Sequence, residues 1–263
     1  MSFLKSLIND SGTVKISKFD GLTYPNTPND YEKGDNLRHI CFLDLETTGL
    51  NKKEDKIIEL AVKVVAIDNN TNRLIGIINE YQGLQDPGEP INEKVTQING
   101  ITNEMVHNHE IDWKVVQSIL EKSEVIVAHN AGFDKAFMDR YLSISKEKIW
   151  ACSVNDIDWF KRGFKSKGQE LLCIWHGYYF ESHRAMSDVD ALIYLVTHEK
   201  YEDNPPIKEL LNNAYKQSYR ICAINTRFET KDILKSNGYF WNNDEKYWWK
   251  NIFSEDVENE KIW

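Results

Sequence analysis

Four carboxylates and one histidine stand out in this 263-residue chain because they lie beside apolar runs, where an unpartnered charge is costly to desolvate. They fall in three segments: Phe42-Leu43-Asp44-Leu45-Glu46-Thr47-Thr48-Gly49, Ala128-His129-Asn130-Ala131-Gly132-Phe133-Asp134, and His183-Arg184-Ala185-Met186-Ser187-Asp188. Asp44, Glu46, Asp134 and Asp188, joined by His183, make up the ligand set and general base that two-metal phosphoryl transfer requires. Each signal is ambiguous by itself. An Asp-x-Glu at a strand end serves equally well as two surface acids, and Asp134 could merely complement a helix dipole. A lone histidine ahead of a helix is most often a surface or capping residue. It is the conjunction that points to chemistry.

These residues need elements to position them. Residues 40–47 read as a strand with Ile40, Phe42, Asp44 and Glu46 on one face and Cys41, Leu43 and Leu45 on the other. Apolar residues on both faces predict an interior strand. Asp44 and Glu46 then point the same way from its end, with Cα atoms roughly 6.6 Å apart at about 3.3 Å per residue. Metal ions held about 3.5–4 Å apart fit between such groups. Residues 124–129 read as a second buried strand, ending in the turn signal Asn130-Ala131-Gly132, with a helix over 133–142 that puts Asp134 in its first turn. Val189, Leu192, Ile193 and Val196 form the apolar stripe of a last helix over 183–199, with Asp188 beside the stripe and His183 on the entering loop.

In this arrangement the sequence resembles the DEDDh 3′–5′ exonucleases, the DnaQ-like family that includes polymerase proofreading subunits. Residues 43–50, 129–134 and 183–188 match its three motifs in order. Ile98-Asn99-Gly100-Ile101-Thr102 looks like the family's H-G-I-T segment, with Asn99 in place of histidine. The likeness covers roughly residues 38–200. It implies an α/β, ribonuclease H-like mixed sheet flanked by helices, and release of nucleoside 5′-monophosphates from a nucleic-acid 3′ end. It also implies two Mg²⁺ or Mn²⁺ ions on Asp44, Glu46, Asp134 and Asp188, with His183 accepting the water's proton. A histidine's ordinary pKa near 6.5 suits that role. By the same likeness Thr47, Leu50, Asn130 and Phe133 contact the terminal nucleotide, with packing as an equal alternative for Leu50 and Phe133. The implied partner is a 3′ end, single-stranded and more readily DNA than RNA, together with a polymerase or repair assembly. Rival readings are an RNA-trimming enzyme of the same family, a binding module that has kept the fold, and a metal-dependent hydrolase of nucleotides.

Composition sets bounds on these readings. With 41% hydrophobic residues the chain can build a proper core. No run approaches the roughly 18–20 apolar residues needed to cross a bilayer, and residues 1–8 are too short and too weakly apolar for a signal peptide, so a cytoplasmic protein is expected. Cys41, Cys152, Cys173 and Cys222 are scattered, as reduced thiols are. A net charge of −9 argues against sliding along duplex DNA. Bound divalent cations would still let an acidic chain accept a nucleic-acid end.

Residues 1–37, rich in Gly, Pro, Asn and Asp, read as an N-terminal arm ahead of the domain at 38–200. Within that domain, strands are expected at 39–47, 56–68 and 73–84, and helical stretches around 91–122. A strand near 149–153 and helices around 155–162 and 168–177 complete the pattern. The early strands predict an antiparallel meander, and the later ones parallel crossovers. Tyr201-Glu202-Asp203-Asn204-Pro205-Pro206 marks a linker at 201–206, leaving a small α+β module at 207–263. There a helix is expected at 207–216 and a strand at 219–224. Thr226-Arg227-Phe228-Glu229 should cap a helix ending at Gly238, and residues 239–249 should form a hairpin. The hairpin's aromatics read either as a base-stacking platform or as the core that a unit under about 60 residues needs, and balanced charge favours the core.

Overall fold

The structure is a computed structural model that describes residues 3–9, 11–22, 36–243 and 245–261. The chain divides into two compact units, Met1–Ala214 and Tyr215–Trp263.

In the first unit the strands are β1 (Ser17–Lys18), β2 (Leu37–Thr47), β3 (Ile57–Asp68), β4 (Leu74–Leu84), β5 (Val125–Ala128), β6 (Ile149–Cys152) and β7 (Tyr178–Tyr179). Its helices are α1 (Glu93–Asn99), α2 (Asn103–Val106), α3 (Trp113–Lys122), α4 (Asp134–Tyr141), α5 (Ile144–Glu147), α6 (Gln169–Trp175), α7 (Ala185–Val196) and α8 (Pro206–Ala214). A five-stranded sheet has the order β4-β3-β2-β5-β6. Short connections fold β2, β3 and β4 into an antiparallel meander, whereas helical crossovers bring β5 and β6 in parallel. This is the mixed α/β sheet that the sequence predicts.

The alternation along β2 sorts the core. Cys41, Leu43 and Leu45 pack with α3 and α4, while Ile40 and Phe42 pack with α7 and α8. Asp44 and Glu46 share the second face, so the strand's own period aims them toward α7. Helix α7 crosses β2 and β3 with Val189, Leu192, Ile193 and Val196 buried.

Three expectations need correction. Residues 155–162 form turns, not a helix. The Asp156 carboxylate accepts the Cys152 amide at 2.6 Å and Asp158 accepts the Lys161 amide at 2.9 Å, local bonds that compete with helical ones. The N-terminal arm is docked where it is described. β1 pairs with β7, the Leu4 amide donates to the Trp175 carbonyl at 3.0 Å, and Phe19 stacks on Tyr194 at 5.0 Å. The rest of the arm, residues 23–35, lies outside the described residues. The boundary also moves, from 201–206 to Ala214/Tyr215. The two prolines open α8 instead of a linker, as proline at a first helical position can. Its stripe of Ile207, Leu210 and Leu211 is fully buried in the core shared with α7.

That packing predicts a sharp difference between two truncations. A chain ending at Ala214 should fold. One ending at Asn204 forgoes three buried aliphatic side chains at about 1.5–3 kcal/mol each, comparable to a domain's whole stability. Thermal melts followed by circular dichroism should show a cooperative transition only for the longer fragment. Equal melting temperatures would put α8 outside the fold.

In the second unit, strands β8 (Ser218–Ala223), β9 (Phe240–Asn242) and β10 (Tyr247–Phe253) form an antiparallel sheet in the order β8-β10-β9, with helices α9 (Lys231–Ser236) and α10 (Val257–Glu260). The hairpin lies where the sequence places it. Helix α9 starts at Lys231, after a 3-10 turn over Phe228–Thr230, with no side-chain cap at Arg227 or Thr230.

Candidate metal and catalytic site

Asp44 and Glu46 emerge where β2 ends, next to an irregularity between Glu46 and Thr47 that breaks the ladder with β3. Asp188 sits in the first turn of α7, packed against the same face. One carboxylate oxygen from each of Asp44, Glu46 and Asp188 lies within 4.8 Å of the others, and all three side chains are partly open to solvent. Asp134 begins α4 and is buried. It stands outside that group of three, with its carboxylate taking its own amide and that of Leu45.

These acids raise one another's pKa. Burial lifts Asp134 to about 8, opposed by its two backbone hydrogen bonds. Asp188 is pushed up to about 7 by burial and then by the charge of Glu46. Asp44 lies well above the carboxylate range, through burial and the charges of Asp134, Asp188, Glu46 and Glu59. Burial also raises Glu46, although the Asn99 amide, donating at 3.1 Å, holds it down. So dense a set of partly desolvated acids favours protons or cations. Oxygen-only donors suit hard divalent ions, so the residues present fit a divalent metal site.

The folded state therefore retains protons on Asp134 and Asp188 that the unfolded chain loses near pH 4, the ordinary aspartate value. Because the native state binds more protons between the two ranges, stability falls as pH rises from about 4 to about 8. In chelator, the melting temperature should drop over this window. Asp134→Asn should flatten the drop, and saturating Mg²⁺ should reverse it. A profile that rises with pH would contradict the burial and the neighbouring charges that hold these protons.

His183 precedes α7 with a left-handed backbone (φ 64°), is exposed, and lies near enough to Glu46 for an imidazolium to lower that carboxyl's pKa. Thr47 is buried and donates to the Gly49 carbonyl at 2.6 Å. Leu50 projects at 84% exposure. Asn130 is exposed with φ 66°, and Phe133 is half-buried against Phe137. Lys52 ties the two loops together by donating to the Gly132 carbonyl at 2.8 Å, while Arg140 donates to the carbonyls of Lys52 and Asp55.

Two supports of the site have no role assigned from the sequence: Asn99 stands out there only as a departure from the H-G-I-T segment, and Glu59 does not stand out at all. The buried Asn99 fixes Glu46 through its amide and accepts the Ile101 amide at 3.0 Å. The fully buried Glu59, cross-strand neighbour of Glu46, accepts Arg184 at 2.8 and 3.2 Å, the Ala185 amide at 3.0 Å and Gln82 at 2.9 Å. Burial alone would raise its pKa, but these bonds outweigh burial and leave it below the usual value. Glu59 thus clamps the start of α7, between His183 and Asp188. The signal for it was an acid inside the otherwise apolar run Ile57-Ile58-Glu59-Leu60-Ala61-Val62.

A family model described as exonuclease (RNase_T) matches residues 41–196. The chain is 32% identical over 226 residues to the DNA polymerase III PolC-type protein of Listeria monocytogenes serovar 1/2a, covering 76% of this chain and 15% of that protein. It is 37% identical over 122 residues to DNA polymerase III subunit epsilon of Treponema pallidum, covering 45% of this chain and 54% of that one. The chain thus spans a small part of the first relative and about half of the second. Among solved structures, exonuclease X in complex with 5′ overhanging duplex DNA is similar at 20% identity and a TM-score of 0.48, covering 66% of this chain and 99% of that chain.

Proposed function

The chain belongs to the exonuclease family, and from that premise we propose that it is a metal-dependent 3′–5′ exonuclease acting on single-stranded DNA ends. The observation that carries this reading is the meeting of Asp44, Glu46 and Asp188 at one strand end, inside the matched span. With the neighbouring Asp134 they would hold two divalent ions, Mg²⁺ or Mn²⁺. Such ions supply charge neutralisation at the scissile phosphate and at its leaving oxygen.

The chain's own residues do the rest. His183, which lies near Glu46, takes a proton from the attacking water. Water's oxygen bonds to phosphorus, the bond to the upstream 3′ oxygen breaks, and that oxygen takes a proton from solvent to become the new 3′ hydroxyl. The products are a 5′-monophosphate and a strand shorter by one nucleotide. Glu59 and Asn99 keep α7 and Glu46 aligned during turnover. Leu50, exposed on a loop tied to that of Phe133, would meet the terminal base together with Thr47 and Asn130. Among the described residues no helix is long and apolar enough to cross a membrane. We place the enzyme in the cytoplasm, serving a polymerase or repair assembly.

The test uses 5′-end-labelled DNA and RNA oligonucleotides of matched sequence, with Mg²⁺, Mn²⁺ or chelator. DNA should shorten one nucleotide at a time from the 3′ end, release mononucleotide, and stay intact in chelator. Faster trimming of RNA would reassign the substrate. Internal cuts, or hydrolysis of nucleotide triphosphates alone, would overturn the reading.

A further inference from the structure

The second unit sorts its aromatic residues onto two faces of one sheet. On one face Trp248 and Tyr239 are buried with Leu234, packed by Ile221 and Ala223. Lys250, on that same face, reaches Glu260 of α10 and the Tyr239 ring, so both helices lie on this side. This face carries the core that a small unit needs, with Trp241 and Tyr219, which the register also puts there, at its exposed margins. Side chains of the opposite face alternate with these along each strand. There the register sets Trp249 between Cys222 and Phe240. The Phe240 and Trp249 rings lie 5.5 Å apart, Phe240 is 62% exposed, and Arg220 sits 4.4 Å from the Trp249 centroid. Core building accounts for Trp248 and Tyr239 but not for Trp249 and Phe240, since a half-buried sheet ordinarily turns polar residues outward. Phe240 is the exposed ring of this patch, with Trp249 half-buried beside it under Arg220, and an apolar patch left open marks a site of contact.

We propose that this open face is a stacking surface for single-stranded nucleic acid. Its charge selects the occupant. Acidic and basic residues balance over residues 215–263, yet none of the described residues that the register puts on this face is acidic; Arg220 of the edge strand β8 lies over the Trp249 ring, and Glu255, near Phe253, is paired with Lys216. Glu245, in the hairpin turn, is held by Asn242 and the Tyr247 hydroxyl. Flat rings beside a guanidinium complement flat bases beside phosphates, without sequence preference. The choice of ligand rests on the exonuclease reading, but its test does not.

Binding of the full chain to a fluorescein-labelled 20-nucleotide thymidine strand would be followed by anisotropy in chelator, where no hydrolysis occurs. Trp249→Ala and Phe240→Ala should each weaken binding about ten-fold, within the range for loss of one stacked base. Trp249→Phe should restore most of it, and Arg220→Gln should shallow the salt dependence. Hydrolysis of a dinucleotide with Mg²⁺ should be unchanged in all four variants. Melting curves matching the parent would confirm that changes at exposed Phe240 and Arg220 and at half-buried Trp249 do not disturb the fold. Parental affinity in every variant would overturn the proposal. So would parental strand binding combined with a loss of self-association in sedimentation, which would assign the face to a second copy. Strand binding that depends on Trp249, in a chain that hydrolyses nothing, would sink the exonuclease reading and leave this one standing.

Discussion

Asp44→Ala or Asp188→Ala should lower turnover by roughly 10³-fold or more, the several kcal/mol that metal-assisted charge stabilisation contributes. Each substitution removes one of three oxygens that lie within 4.8 Å of one another. The same change should raise the melting temperature of the metal-free protein at neutral pH, because it removes an acid that burial and its neighbours' charges force to hold a proton the unfolded chain would release. Added Mg²⁺ should stabilise the parent by ligand linkage and the variants much less. Loss of activity combined with gain of apo stability separates a ligand from a structural residue, which would lose both. Parental turnover in either variant would dispose of the metal assignment.

The second large effect belongs to His183. As the base, its replacement by alanine should reduce kcat by about 10²–10⁴. The midpoint of a Mg²⁺ titration followed by melting should barely move, since the carboxylates remain. The rising limb of the parental pH–rate profile should flatten or shift. The left-handed backbone at φ 64° supports a functional reading, because non-glycine residues in that region cluster at active sites. Were the loss traced wholly to weaker Mg²⁺ binding, His183 would be a support for the metal and not the base.

Much of this was legible in the sequence, and the reasons are local. Period-two alternation put Asp44 and Glu46 on the α7 face of β2, and the 3.6-residue stripe defined α7. Such patterns are written into neighbouring residues. What escaped is set by partners far along the chain. Glu59 makes sense only when Arg184, 125 positions away, is seen to meet it. The helix expected at 207–216 is assigned to the small module from sequence because nothing near it shows that Ile207, Leu210 and Leu211 find the core of α7. Around residues 155–162 the expected helix gave way to aspartates that bond neighbouring amides. The hairpin aromatics could be counted from sequence, but only the strand register sorts them onto the two faces of the sheet.

Glu59 and Lys63 stand four positions apart on one face of β3, and both grip α7: Glu59 through Arg184 and the Ala185 amide, Lys63 through Asp190. An apolar interface resists being pulled apart, but it offers several nearly equivalent seats along its length. Two directional anchors remove that freedom, fixing both how far the helix slides and how far it rolls. Robustness and alignment are thus written in different residues. Apolar substitutes of similar volume at both anchors can leave such a fold as sturdy as before. They would also set the helix adrift by fractions of an ångström, enough to detune an assembly whose parts must meet within a few ångströms.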